Sequence, residues 1–257
     1  MTDQAAPYTV ATAQIIGDRA HQEDTLAVQA FAADTETHAG ELLLVLADGM
    51  GGYPGGDVAS RLVVKHFIEA YTESAANIPE ALGSSLNVAN DQLANAVVET
   101  PKLKGMGTTL IGCVVREDHL YWVSVGDSLL WIYRDGVLQR LNADHSMASL
   151  LDDMVRTGFI NREEALVDYR RNALRSAVTG EIIELVDLRK QPYPLQTDDI
   201  IILASDGIET LAEDKLATEV CNLAEKSLQT LADNLMASIE ATAHSGQDNA
   251  SVILYRH

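Results

Sequence analysis

Acidic residues mark the ends of several apolar, strand-like segments of this sequence. Asp48, Asp127 and Asp206 each follow a largely apolar run, and Asp248 comes two residues before another such run. In an antiparallel sheet, the C-terminal end of one strand lies beside the N-terminal end of its neighbour. We therefore expect these four carboxylates to converge on one edge of a sheet.

Four carboxylates on one edge repel each other strongly unless cations neutralise them. Oxygen ligands without histidine or cysteine select hard cations, Mg²⁺ or Mn²⁺, over Zn²⁺. Gly49 and Gly207 follow two of the aspartates, and glycine permits tight turns and the close approach of a backbone carbonyl to an ion. A single Asp-Gly pair could be no more than a turn, but the four acids together predict a metal site.

A second group of charged residues, Arg19, Glu23 and Asp24, lies between two predicted strands. A guanidinium can bind a phosphate through two parallel hydrogen bonds, and acids beside a metal site can hold metal-bound waters. Alone, the same group could form a solvated, salt-bridged turn. The sequence contains no P-loop pattern, so nucleotide binding is not indicated.

Two kinds of element must position these residues. Strands are predicted at residues 8–16, 25–31, 41–47, 108–115, 119–125, 129–133, 137–141, 199–205 and 250–255. The strands between residues 108 and 141 are separated by short turns such as Arg134-Asp135-Gly136. Such turns are typical of hairpins and therefore of antiparallel sheet.

Helical patterns come in pairs. The first pair carries Val63, Phe67 and Tyr71, and then Leu82, Leu86, Ala89, Leu93 and Val97 behind Pro79 and Glu80; the second begins near Glu213 and continues with Leu228, Leu231, Leu235 and Ile239. Helix pairs between blocks of hairpins favour antiparallel sheet covered by helices, an α+β fold, over a doubly wound parallel sheet. Residues 146–180 mix short helical stretches with charge, and we expect them to form an insertion.

Length and composition limit the possible functions. The chain has 257 residues, 47% of them hydrophobic, with 18 basic and 38 acidic side chains and a net charge of −20. Since no linker or repeat marks a boundary, we expect one domain spanning residues 1–257. The acidity and the low aromatic content of 5% argue against nucleic-acid or membrane partners, which need a basic face or rings for stacking.

Sequence features also bear on the compartment. No run approaches the roughly 20 apolar residues that a membrane span needs, and the first residues show no signal-peptide pattern. Cys113 and Cys221 lie in apolar patterns without metal spacing, which is typical of inert thiols. We expect a cytoplasmic protein.

The order of short motifs along the chain resembles that of the type 2C, metal-dependent Ser/Thr protein phosphatases, in a form similar to bacterial stand-alone members. The matching residues are Arg19 with Glu23-Asp24, Ala47-Asp48-Gly49-Met50-Gly51-Gly52, Gly105-Met106-Gly107-Thr108-Thr109, Val125-Gly126-Asp127-Ser128, Asp144-His145-Ser146, Ser205-Asp206-Gly207-Ile208 and Gln247-Asp248-Asn249-Ala250-Ser251. Each motif is short, but seven in the same order cover almost the whole chain.

The resemblance implies an α-β-β-α sandwich, with two stacked antiparallel sheets flanked by helix pairs, and a flap formed by the insertion at about 146–180. It also implies a ligand set for two Mg²⁺ or Mn²⁺ ions. In that set, Asp48 bridges the ions, the Gly49 carbonyl binds one, and Asp206 and Asp248 bind the other. Asp127 matches the acid that binds a third, weaker ion.

The remaining roles that the resemblance implies concern the substrate and the surroundings of the ions. Arg19 matches the phosphate-binding arginine, Glu23 acts through metal-bound water, and Asp24 and Asn249 support the ligands from behind. The implied reaction is hydrolysis of phosphoserine or phosphothreonine in proteins by a metal-activated water, without a covalent phosphoenzyme. The implied partners are phosphorylated proteins, including a Ser/Thr kinase or its substrates, and the implied state is a monomer.

The sequence departs from the animal members in two places. Met50 stands where those members have a histidine proposed as general acid, so the leaving group must be protonated by metal-bound water or by another group. His21 and His145 are nearby candidates, although a lone histidine is more often structural. Glu209-Thr210 replaces a Trp-Asp pair, so the extra acidic contact of those members is not expected here.

Three other functions would also use clustered carboxylates. A metal-dependent phosphodiesterase or nuclease is disfavoured by the charge of −20. A catalytically silent, phosphatase-like binding module is the main alternative, but it should have lost ligand carboxylates that are all present here. A Ca²⁺-binding structural protein would not need Arg19.

Overall fold

The computed structural model describes residues 9–32, 37–51 and 55–257. Tyr8, where a strand was predicted to begin, and Gly52, which ends the motif that starts at Ala47, lie outside the described residues.

The predicted order of strands and helices is confirmed, with boundaries that shift by a few residues at most. The strands are β1 (Thr9–Ile15), β2 (Asp24–Ala30), β3 (Glu41–Met50), β4 (Gly107–Thr108), β5 (Leu110–Arg116), β6 (His119–Val125), β7 (Leu129–Arg134), β8 (Val137–Arg140), β9 (Asp187–Leu188), β10 (Tyr193–Pro194), β11 (Ile200–Ala204) and β12 (Ala250–Arg256). The helices are α1 (Gly55–Glu73), α2 (Ile78–Glu99), α3 (Met147–Arg156), α4 (Arg162–Val167), α5 (Glu213–Leu223) and α6 (Leu228–Ala241). Two 3₁₀ segments cover Pro101–Leu103 and Asp206–Thr210.

The strands form two sheets in which neighbouring strands are antiparallel. Sheet I has the order β1-β12-β11-β7-β8, and sheet II has the order β10-β6-β5-β3-β2, with β4 beside β3 and β9 beside β6. Neither β9 nor β10 was predicted, because two residues are too few to show a period.

Three apolar layers hold the sandwich together. Helices α1 and α2 cover the outer face of sheet II, helices α5 and α6 cover sheet I, and a third cluster fills the space between the sheets. Strand β3 is buried on both faces, since Leu42, Leu44 and Leu46 face sheet I while Leu43 and Val45 face the helices. This double burial explains its continuous apolar run. The α-β-β-α architecture is therefore confirmed.

One predicted hairpin is wrong. Strands β5–β6 and β7–β8 pair as predicted, but β6 and β7 do not pair with each other. Val125 pairs with Leu110 in sheet II, whereas Leu129 pairs with Ala204 in sheet I. A connection of three residues is as short as a hairpin turn, so its length alone does not reveal that the chain crosses between sheets here.

The segment at residues 146–180 contains the short helices α3 and α4 and irregular chain. An isolated bridge between Thr108 and Val178 joins its end to the sandwich, and a second bridge, Ser146 with Leu174, links the start of the segment to its later part. Several apolar side chains of the segment are exposed, Phe159 and Tyr169 among them. Within the described ranges, no helix is long and apolar enough to cross a membrane.

Candidate active site

A cavity of about 460 Å³ opens at one end of the sandwich. Its lining comes from both sheets and from the segment at 146–180: Arg19, Ala20, His21, Glu23, Asp48, Gly49, Met50, Gly51, Thr109, Asp127, Asn172, Leu174, Asp206 and Asp248. All seven residues predicted to bind metal or phosphate directly or through water are in this set. Residues separated by up to 229 positions in the sequence therefore meet at one surface.

The four aspartates reach the cavity from different elements. Asp48 lies near the C-terminal end of strand β3, and Asp127 occupies the crossing between the sheets. Asp206 begins the 3₁₀ segment after β11, and Asp248 lies two residues before β12. Because β11 and β12 are antiparallel neighbours, Asp206 and Asp248 lie side by side. The prediction of a single sheet edge was thus wrong in detail, because sheet II supplies Asp48 and sheet I supplies Asp206 and Asp248.

The electrostatics of the cluster are those of acids that lack counter-charge. Burial, together with repulsion from Asp24 and Asp206, raises the pKa of Asp48 well above its ordinary value. Burial and the nearby Asp248 raise the pKa of Asp206, whose carboxyl group hydrogen-bonds that of Asp48. Burial and the Asp206 charge raise the pKa of Asp127 to about 7. Such a cluster holds protons that cations could replace.

One basic residue faces the acids within the cavity. Arg19 Nη2 lies 2.5 Å from Asp248 Oδ2, and both side chains are about half exposed. In the described part of the chain, no three histidine, cysteine or acidic side chains form a ready-made metal cage, and Asp248 is paired with Arg19 instead. The donor set nevertheless fits a hard divalent cation, since it consists of carboxylates and one backbone carbonyl.

Asn249 fastens the loop that carries Arg19. Its Nδ2 donates to the carbonyl oxygens of Ile16 (2.8 Å) and His21 (3.1 Å), and its Oδ1 accepts from the Glu23 N–H at 2.8 Å. The same side chain therefore holds both ends of the loop against the segment that contains Asp248.

Asp24 is buried behind the cavity. Its Oδ2 accepts hydrogen bonds from the hydroxyls of Ser205 (2.8 Å) and Ser251 (2.6 Å), while its buried Oδ1 has no partner. Burial outweighs these two bonds and raises the pKa of Asp24 to about 6. An unpartnered, buried carboxylate oxygen beside an acidic cavity is a second feature that fits a cation or its water shell.

The two glycines after Asp48 and Asp206 have a different function from the predicted tight turns. A Cβ at Gly49 would come within 2.2 Å of the Gly56 carbonyl oxygen, and one at Gly207 within 2.0 Å of the Asn249 carbonyl oxygen. Neither position has a positive φ. Glycine is required there because backbones approach closely, which brings helix α1 and strand β12 against the acidic motifs.

The two histidines considered as proton donors differ in position. His21 lines the cavity. His145 is buried, and its Nδ1 accepts a hydrogen bond of 3.3 Å from the Gly126 N–H. Burial lowers the pKa of His145, so its ring is neutral and occupied by the backbone that precedes Asp127. A structural role therefore explains His145.

Thr109, Asn172 and Leu174 are among the cavity residues that were not predicted to bind metal or phosphate. Thr109 Oγ1 accepts from the Asp48 N–H at 2.9 Å and hydrogen-bonds Ser128 Oγ at 2.7 Å. Its motif was recognised, but the direction of the side chain depends on the pairing of β3 with β5. Asn172 and Leu174 reach the cavity because residues 172–174 fold back along residues 146–147, and no local sequence signal indicates that return.

Comparisons with known proteins bear on the family and the fold of the chain. The profile of the family described as protein phosphatase 2C matches residues 16–244. The serine/threonine phosphatase stp of Listeria monocytogenes is 31% identical over 242 residues, covering 92% of this chain and 90% of the relative. The crystal structure of the Mycobacterium tuberculosis serine/threonine phosphatase PstP/Ppp superposes with a TM-score of 0.79 at 26% identity, covering 97% of this chain and 98% of that one.

A further solved structure bears on the metals. The catalytic domain of the serine/threonine protein phosphatase PstP in complex with two manganese ions matches with a TM-score of 0.75 at 26% identity, covering 97% of both chains.

Proposed function

Since the chain belongs to the protein phosphatase 2C family, we propose that the carboxylate cavity is the site at which it hydrolyses phosphoserine and phosphothreonine. The protein is a metal-dependent Ser/Thr protein phosphatase, and phosphorylated proteins are its substrates. The observation that carries the assignment of the site is the convergence of the seven predicted residues on one cavity.

Asp48, the Gly49 carbonyl, Asp206 and Asp248 would hold two Mg²⁺ or Mn²⁺ ions, and Glu23 would act through their water shell. When bound, the ions supply an acidified water as nucleophile and neutralise charge on the phosphoryl oxygens. Asp127, which lies at the crossing between the sheets, would bind a third and weaker ion. Asp24 and Asn249 support the ligand set from behind through the hydrogen bonds described above.

The chain itself supplies the means to bind and orient the substrate. Arg19 is the cavity's guanidinium, and its exposed end can bind two phosphoryl oxygens once Asp248 turns to a cation. Met50 has no proton to give to the leaving alkoxide, and His145 is occupied by the backbone. Of the two histidines considered as proton donors, His21 is the one that lines the cavity.

The same proposal extends to the domain, the compartment and the oligomeric state. We propose that residues 1–257 act as one phosphatase domain with a flap at about 146–180, whose Asn172 and Leu174 line the cavity. We further propose a cytoplasmic monomer that acts on a Ser/Thr kinase or on the substrates of such a kinase. The catalytically silent alternative requires lost ligand carboxylates, and every one of them lines or supports the cavity.

The experiment that tests this function is phosphate release from a phosphothreonine peptide with Mn²⁺, with Mg²⁺ and with EDTA. We expect turnover with either metal and none with EDTA. Asp206→Asn should abolish turnover, because one ion loses a charged ligand. Asp91→Asn, which changes an exposed acid of helix α2, is the matched control and should retain full activity.

Three results would contradict the proposal. Turnover that persists in EDTA would exclude a role for the ions, and an Asp206→Asn variant as active as Asp91→Asn would remove the cavity from the reaction. Release from a phosphodiester but not from the phosphothreonine peptide would revive the phosphodiesterase alternative.

A further inference from the structure

The layer between the two sheets changes character at the end where the cavity lies. Side chains alternate along each strand, and the inward positions one step from this end are apolar: Leu26 on β2, Leu46 on β3, Leu203 on β11 and Ile253 on β12. The next inward positions are all polar: Asp24, Asp48, Ser205 and Ser251. The last row of the inter-sheet layer is therefore hydrogen-bonded and not packed.

The hydrogen bonds of this row have a fixed direction. Ser251 Oγ accepts from Gln14 Nε2 (2.9 Å) and Gln22 Nε2 (3.2 Å), so its single proton is donated to Asp24 Oδ2 at 2.6 Å. Ser205 Oγ accepts from the Ser251 N–H at 3.0 Å, so its proton also goes to Asp24 Oδ2, at 2.8 Å. Both hydroxyls thus converge on one oxygen of a carboxylate from the opposite sheet.

This cluster, Asp24 with Ser205 and Ser251, joins the two halves of the proposed metal site. Asp24 lies directly opposite Asp48 in the β2–β3 pair of sheet II. Ser205 immediately precedes Asp206, and Ser251 lies three residues after Asp248, on neighbouring strands of sheet I. Hydrophobic burial is non-directional, whereas two short hydrogen bonds to one carboxylate oxygen have a defined length and direction and so fix a separation.

We propose that Ser205 and Ser251 are positioning residues for the phosphatase reaction, because their hydroxyls set the separation of the two sheets at the cavity through Asp24. That separation places Asp48 of sheet II at the correct distance from Asp206 and Asp248 of sheet I. The proposal rests on the assignment of those three aspartates as ligands made under the proposed function.

The location of the cluster supports a role beyond stability. All three members are buried, and a buried polar cluster could be replaced by apolar residues without loss of stability. The fold nevertheless desolvates the Asp24 carboxylate, and it does so in the row of side chains that lies between the ligand of sheet II and the ligands of sheet I. Supporting residues of this kind typically change metal affinity or activity about 10- to 100-fold when removed.

The test compares Ser205→Ala, Ser251→Ala and the double variant with Ser85→Ala and Ser251→Thr. Ser85 is a matched control, since it is equally buried and its hydroxyl donates to the Ala81 carbonyl within helix α2 at 2.7 Å. Ser251→Thr keeps the hydroxyl. Mn²⁺ binding is measured by titration calorimetry, the coupling between bound Mn²⁺ ions by electron paramagnetic resonance, and kcat and KM with a phosphothreonine peptide.

In the double variant we expect the Kd of the more weakly bound of the two Mn²⁺ ions held by Asp48, Asp206 and Asp248 to rise about 10-fold. We also expect kcat at saturating Mn²⁺ to fall about 10-fold or more. The spin coupling between the ions should weaken because their spacing is no longer fixed, while the peptide KM stays close to that of the unsubstituted protein. Ser251→Thr and Ser85→Ala should behave as the unsubstituted protein does.

A folded double variant with unchanged Kd, spin coupling and kcat would overturn the positioning role while leaving the proposed function intact. If the unsubstituted protein binds no Mn²⁺, the ligand assignment fails and the positioning role fails with it. If the double variant does not fold, the single variants decide. Single variants that fail to fold while Ser85→Ala folds would make the cluster purely structural.

Discussion

Strand β3 carries one acid near each end, Glu41, which is buried, and Asp48, which is partly buried at the cavity, and the two ends differ in how the charge is compensated. At the start, Glu41 Oε2 accepts from the Tyr71 hydroxyl at 2.6 Å and lies 2.9 Å from His38 Nδ1, and Arg116 is 3.6 Å from Oε1. At the other end, roughly 23 Å away at ~3.3 Å per residue, Asp48 faces mainly other carboxylates.

The difference separates a structural acid from a functional one. Glu41 is only 2% exposed, yet it has three partners and needs nothing more. Asp48 is surrounded by acids that raise its pKa, so the fold leaves this end of the strand with unmet negative charge. A partly buried acid that the protein does not neutralise itself indicates a site for an external cation.

The most severe test of this contrast is Asp48→Asn. We expect kcat/KM for a phosphothreonine peptide to fall about 10³-fold or more, because metal stabilisation of the transition state is worth several kcal/mol. In EDTA at pH 8 the same variant should be more stable than the unsubstituted protein by about 1 kcal/mol or more, because repulsion is relieved. Urea unfolding measures this change, and a less stable variant would show that Asp48 is compensated after all.

Metal addition should stabilise the molecule through the Asp48 end only. Mn²⁺ at 100 times its Kd should raise the free energy of unfolding by about 2.7 kcal/mol, as followed by urea unfolding with and without EDTA. The gain should disappear in Asp48→Asn and persist in Glu41→Gln. Equal stabilisation of both variants would place the ions elsewhere.

Glu41→Gln should produce the opposite pattern to Asp48→Asn. Because the amide cannot pair with His38 and Arg116 as a carboxylate does, we expect a loss of about 2 kcal/mol in the free energy of unfolding. The kcat of the folded enzyme should stay within about twofold, since the site is remote. A large fall in kcat in a fully folded Glu41→Gln variant would show that the two ends of strand β3 are coupled, and would contradict the distinction between a structural and a functional acid.

The smallest expected effect is the change in the free energy of unfolding per pH unit, measured in EDTA. Asp24 and Asp127 have pKa values raised to about 6 and about 7, so the folded state keeps protons that the unfolded chain loses near pH 4. With respect to these groups, stability is therefore greatest below pH 4, falls between about pH 4 and the folded-state pKa values of about 6 and about 7, and levels off above them. The slope reaches at most about 1.4 kcal/mol per pH unit for each group.

Two additions sharpen that measurement. Saturating Mn²⁺ should abolish the fall, because a cation replaces the protons that the cluster holds. Asp127→Asn should remove the fall between pH 6 and 7 and the Asp127 share of the fall between pH 4 and 6, leaving the share that Asp24 contributes. A metal-free protein whose stability rises between pH 5 and 8 would contradict the raised pKa values of both acids.

Much of the fold could be predicted from periodicity and turn chemistry. The strand His119–Val125 has the predicted bounds, and helix α5 begins at the predicted Glu213. The exceptions lie where local pattern carries no information about distant partners. The crossing at Asp127 has the length of a hairpin, and the strands β9 and β10 have only two residues each.

The candidate site shows the same division. The positions of Asp48, Asp127, Asp206 and Asp248 at strand ends, and of Arg19 between two strands, were sufficient to predict a metal site rich in carboxylates. The contribution of Asn172 and Leu174 was not predictable, because it depends on how residues 172–174 return to residues 146–147.

The sequence by itself determined which residues stand at the ends of apolar strands, and hence the sign of the charge and the class of ion that the site favours. These properties follow from residue type and from the spacing of apolar residues, which repeats every two residues in a strand and every 3.6 in a helix. Both are properties of the local sequence. Only the tertiary structure decided that the acids come from two sheets, that Glu41 is compensated while Asp48 is not, and that Asp24, Ser205 and Ser251 join the sheets. Those facts depend on distances between residues far apart in the chain, which the packing of the three apolar layers sets.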